Sequence, residues 1–97
     1  MNFTSIKTSS ASSDASIDMS GKNVLKWHGT NTPTLTLTGL VDGQLIIVIN
    51  QQTDPVCYPK IEPVAAGVHQ NTIEKTDAAM FYYSSSNGLH RIVGDEY

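Results

Sequence analysis

The run Leu45-Ile46-Ile47-Val48-Ile49 constrains this chain more than any other segment. Four of its five residues are β-branched, which suits an extended strand. Asp42-Gly43 ahead of it is a hairpin turn signal, and Asn50 ends it. In a strand, Leu45, Ile47 and Ile49 point one way and Ile46 and Val48 the other. A small two-layer domain keeps one face of each sheet in water, so its strands should alternate apolar and polar residues. This strand is apolar on both sides. Left in water, Ile46 and Val48 would each forfeit about 1.5–3 kcal/mol, and the bare strand would invite aggregation. Either a loop covers that second face, for which the Pro-rich stretch around Val56 and Ile61 is a candidate, or neighbouring copies do.

Size favours the copies. Ninety-seven residues form one domain near the lower limit for a self-sufficient core, and only 39% of them are apolar. Chains this short supplement the core with disulfides, metal or oligomerisation. Cys57 is the single cysteine, so no intramolecular disulfide can form, and a passive buried thiol is its expected state. Self-association is what remains. The expected interface is Ile46 and Val48 together with Met80 and Tyr82, which share one face of Ala79-Met80-Phe81-Tyr82-Tyr83-Ser84.

The other periodic segments are also strands. Thr34-Leu35-Thr36-Leu37-Thr38 alternates perfectly, and shorter runs start near Ser16, Asn23, Asn71, Ala78 and Leu89. Asn87-Gly88 reads as a two-residue hairpin loop that sets Tyr83 opposite Ile92. No window has a helical period with capping signals. The expectation is an all-β fold, a small antiparallel β-sandwich or barrel of seven to eight short strands. Residues 1–15 are Ser-rich and have little to bury, so they are expected to form a flexible or partner-ordered N-terminal arm anchored by Phe3 and Ile6. Residues 16–97 are then the β-domain.

Charge removes several classes of function. Six Lys and Arg, scattered singly in a chain of net charge -3, supply no cluster to displace counterions from nucleic acid and no basic patch for a membrane surface. The longest apolar run is too short to span a bilayer. The first residues lack the apolar stretch of a signal peptide, so export by the ordinary route is not expected. His28, His69 and His90 lie far apart without ligand spacing, and the carboxylates sit mostly in turn segments. No catalytic residue, metal or cofactor is expected. Trp27 could stack on a sugar ring, but its alternation with Leu25 favours the core.

Three stretches carry a family resemblance. They are Asp42-Gly43-Gln44-Leu45-Ile46-Ile47-Val48-Ile49-Asn50, then His69-Gln70-Asn71-Thr72-Ile73, then Ala79-Met80-Phe81-Tyr82-Tyr83-Ser84 with Leu89-His90-Arg91-Ile92-Val93-Gly94. Residues 42–94 resemble the small β-domains of tailed-bacteriophage virion proteins, of the capsid-decoration, head-fibre and tail-fibre kinds. Cys57-Tyr58-Pro59 departs from that pattern, as does His90 where a large aromatic is usual. The resemblance implies a virion structural protein, a homotrimer on the virion surface, attached through its arm to a major capsid or tail protein. Its chain length suits decoration or head-fibre work. The alternative is a receptor-binding module of the tail-fibre type that takes a host-surface glycan.

Overall fold

A computed structural model describes residues 5–65 and 71–93. Among these residues there are eight strands and no helix: β1 (Ile6–Ser9), β2 (Ala15–Asp18), β3 (Val24–Trp27), β4 (Thr34–Thr38), β5 (Leu45–Asn50), β6 (Lys60–Glu62), β7 (Ala78–Ser84) and β8 (Gly88–Val93). They form a five-stranded sheet in the order β1-β3-β5-β7-β8 and a three-stranded sheet in the order β2-β4-β6.

The first six strands alternate between the two sheets, and every pairing among them is parallel. Ile6 stands beside Val24 and Val24 beside Ile47 in one sheet. Ala15 stands beside Leu35 and Leu35 beside Ile61 in the other. The chain therefore winds in circuits of roughly 20 residues, as stacked β-repeats do. Only β7 and β8 run antiparallel, closing the larger sheet beyond β5. The expected antiparallel arrangement is thus corrected for most of the chain. Asp42-Gly43 does turn, with Gly43 at φ +87 and Gln44 N–H bonded to the Val41 carbonyl at 3.0 Å. It turns the chain from one sheet to the other instead of folding β5 back on β4.

The β7–β8 loop is also longer than expected. Ser84 pairs with Gly88 and Tyr83 with Leu89, so three residues make the loop and Gly88 takes φ +102. Asn87 N–H closes the turn on the Ser84 carbonyl at 3.2 Å. Glycine at the positive-φ position after such a turn makes the three-residue loop favourable. Asn71-Thr72-Ile73 is no full strand; Thr72 forms one antiparallel bridge with Lys60.

One core fills the space between the sheets. Leu25, Trp27, Ile46, Val48 and Phe81 enter it from the larger sheet, and Ile17, Leu35, Leu37 and Ile61 from the smaller. Asn50 is fully buried at the end of β5. Its amide donates to the Cys57 carbonyl at 3.1 Å and the Ile73 carbonyl at 2.9 Å, and its oxygen accepts Gln52 N–H at 2.8 Å. One side chain thus satisfies three backbone groups and ties residues 52–57 to Ile73, in the stretch ahead of β7.

The Ser-rich segment does not stand off as an arm. Residues 6–9 are β1, paired with β3. Beyond it, polar atoms serve the backbone of the next circuit. The Ser12 hydroxyl accepts Thr30 N–H at 3.1 Å, and the Asp14 carboxylate accepts Thr34 N–H at 2.8 Å. The Ala11 carbonyl accepts the Trp27 indole N–H at 2.8 Å. Short polar side chains that bond to nearby backbone explain a composition that otherwise reads as disorder. Phe3 lies outside the described residues.

Gly29 makes this contact possible. A Cβ there would fall on the Ala11 carbonyl and 2.7 Å from the Trp27 ring. Gly29→Ala is therefore expected to destabilise the fold by about 1–3 kcal/mol, the range for overpacking. A lower urea midpoint at unchanged slope is the expected reading.

Candidate self-association face

Each sheet has an outer face, and the two faces differ in kind. On the smaller sheet it carries Ser16 and Asp18, Thr34, Thr36 and Thr38, and Lys60 and Glu62. Ser20 donates its hydroxyl and its backbone N–H to Asp18, which holds that carboxyl below the usual range, with Lys7 adding to the effect. A face of hydroxyls and charges belongs in water.

The five-stranded sheet presents aliphatics instead. Ile6, Val24, Ile47 and Met80 lie side by side on β1, β3, β5 and β7. Leu45 stands beside Tyr82 on one side of this row, and Ile49 beside Ala78 and Lys26 on the other. Ile6 and Tyr82 are 41% and 40% exposed, and Ile92 on β8 is 52% exposed. Ile47, Ala78, Ala79 and Met80 line a shallow apolar hollow of about 200 Å³. The row is apolar by register, with Ile47 and Met80 half-buried, Val24 buried, and Thr8 and Lys26 beside Ile49 on the same face.

The expected interface residues divide. Met80 and Tyr82 face outward on this sheet. Ile46 and Val48 are fully buried in the core, where Ile46 pairs with Phe81 and Val48 with Ala79. For these two the expectation is corrected: the strand has two apolar faces, and its outward residues are Leu45, Ile47 and Ile49. Alternation separates the two sets without saying which one faces the second sheet. The signal that could have decided it is Met80 and Tyr82, which pair with Ile47 and Leu45 in the antiparallel register. Val24 escaped notice because its partners in the row come from distant parts of the chain. Ile6 is on the same face, as a member of β1 instead of an arm.

Other chemistry finds little support among the described residues. No three of His, Cys, Asp and Glu come together as a metal set. His28 is exposed and His90 pairs with Tyr82; His69 lies outside the described residues. Cys57 is buried. Trp27 has no exposed surface, so its ring is closed to a sugar. A hollow of about 490 Å³ lies at the corner lined by residues such as Ser20, Asn23, Asp42 and Gln44. Its polar groups hold the corner together: the Gln44 amide donates to the Met19 and Lys22 carbonyls, and Asp42 accepts Ser85 N–H at 2.9 Å.

Compared with protein-family models, curated proteins and solved structures, the chain matches none.

Proposed function

We propose that this chain is a structural module that works by self-association through the outer face of its five-stranded sheet. The observation that carries the reading is the apolar row Ile6, Val24, Ile47 and Met80, widened by Leu45, Ile49 and Tyr82, on a domain of 97 residues without a disulfide. A core this small gains from burying a second apolar layer against a copy. The setting we propose is the surface of a tailed-bacteriophage virion, in decoration or head-fibre work beside a major capsid or tail protein. The resemblance of residues 42–94 supports that setting.

Ile47→Asp tests the association. Ile47 is at the middle of the row, so a carboxylate there would be desolvated on assembly, while the isolated domain would keep it wet. The variant is expected to retain the wild-type circular dichroism and to weaken association at least about thirtyfold, the scale of an interface hot spot. Light scattering should show the wild type above monomer mass at micromolar concentration and the variant at monomer mass. A monomeric wild type would overturn the reading.

A further inference from the structure

We infer that the first circuit is a guarded end of the stack: Lys7, turned inward on β1, keeps the strands of a second copy from pairing there. The inference goes beyond the self-association reading. It concerns the edges of the sheets, and it holds or fails apart from their faces.

Two open sheets have four edge strands, β1 and β8 in the larger and β2 and β6 in the smaller. The chain itself covers the edges away from the first circuit. Beside β6, Ile61 N–H donates to the Asn71 carbonyl at 2.8 Å, and Lys60 bridges Thr72. Leu89 of β8 donates its N–H to the Pro63 carbonyl at 2.9 Å, and its own carbonyl accepts Ala65 N–H at 2.8 Å. Neither β1 nor β2 has such a cover among the described residues. On β1, the Ser5 and Ser9 carbonyls accept Val24 N–H at 3.2 Å and His28 N–H at 2.9 Å. Alternate residues of a parallel strand serve one neighbour, so the N–H and C=O groups of Ile6 and Thr8 point to the open side. Met19 N–H bonds to the Thr38 carbonyl at 2.8 Å, which turns the groups of Ser16 and Asp18 outward on β2 in the same way. Such rows of backbone groups, present in both sheets, are a template for strand addition.

The inner face of β1 opposes it. Leu25, Val48 and Ala79 form one apolar row across β3, β5 and β7. Lys7 takes the next place in that row, beside Leu25, and Ser9 stands beside Trp27. Both partners belong to the core, so the edge strand is polar where its neighbours are apolar. Lys7 is half-buried. Hydrogen bonds from Ser20 hold the Asp18 carboxyl below its usual range, and the charge of Lys7 adds to their effect, so Lys7 reaches toward the smaller sheet across the end of the core. A strand laid beside β1 would enclose that ammonium and take it from water, a cost the new backbone bonds would have to offset. Inward-pointing charge on an edge strand is one way that sheets avoid joining edge to edge. Polar terminal repeats do the same for stacked repeats.

Substitution at Lys7 tests the guard. Lys7→Val removes the charge and carries the apolar row to the edge; Lys7→Thr removes the charge with a smaller, strand-forming residue. Lys7→Arg keeps the charge in place, and Lys75→Val removes the same charge from an exposed turn. By light scattering, Lys7→Val is expected at no less than about twice the wild-type mass, because paired edges join whole assemblies. Lys7→Thr should gain mass too, while Lys7→Arg and Lys75→Val match the wild type. Amide exchange locates the contact. In the wild type, Ile6 and Thr8 should exchange at least about tenfold faster than Lys7 and Ser9, whose groups face β3. In Lys7→Val all four should be slow. Wild-type mass in both neutral Lys7 variants, an equal gain in Lys7→Arg or Lys75→Val, or slow exchange of Ile6 and Thr8 in the wild type would overturn the inference. A monomeric wild type would overturn the sheet-face reading alone.

Discussion

Ile46→Asp is expected to yield no cooperatively folded protein. Ile46 has no exposed surface and lies against Phe81 on the inner face of the larger sheet. Removing a buried aliphatic of this size costs about 2–5 kcal/mol. The carboxyl that replaces it has no partner there, and it must either stay protonated or draw water into the core, at a cost of several kcal/mol more. A domain of this length has about 5–15 kcal/mol in all. Circular dichroism should therefore show no sharp thermal transition. Ile47→Asp, one residue further on, should keep a cooperative transition, with a midpoint lowered only by the loss of association. Because a slip of one residue exchanges the two faces of a strand, the pair of variants tests the register of β5 directly. A well-folded Ile46→Asp would refute the assignment of faces.

Trp27→Ala should produce the next largest loss, about 3–5 kcal/mol. The ring is the largest fully buried side chain, and its N–H is the donor to the Ala11 carbonyl. The substitution removes the packing and leaves that carbonyl without its donor, so it loosens the link between the first circuit and the second. Trp27→Phe separates the two effects: it keeps most of the volume and should lose roughly 1–3 kcal/mol, the cost of an unmet buried acceptor plus the smaller ring. Urea unfolding gives both values. A change under about 1 kcal/mol in Trp27→Ala would contradict the enclosed position of the ring.

Strand identity was legible in this chain to the degree that each strand buries a period of its own. β4 alternates without a break, and β5 and β7 are long and apolar; all three appear where the alternation puts them. β1 is Ile-Lys-Thr-Ser in a serine-rich stretch, and its place is set by backbone pairing with β3, which leaves no mark in local composition. β6 is three residues in a proline-rich stretch, held by β4 on one side and by Ile61 N–H to the Asn71 carbonyl on the other. The winding was hidden for a related reason. A turn that crosses between sheets and one that makes a hairpin use the same Asp-Gly pair, and the difference lies in contacts beyond the turn. The candidate face was half legible. That β5 is apolar on both faces was evident, but which set lies outside depends on the partner strands.

The parallel winding has a consequence for how the chain acquires its structure. Neighbours in a hairpin find each other across a few residues, and β7 and β8 do so across three. Each parallel neighbour must instead wait for a whole circuit to close, including a strand in the other sheet, and such closure raises the entropic barrier. During synthesis β1 emerges before β3, β3 before β5, and the one locally paired element comes after all three. The growing chain thus exposes the aliphatics of β5 before the strands that shield its far side are available. Refolding of this small domain should accordingly be slow for its length, and most vulnerable to aggregation while β5 awaits β7.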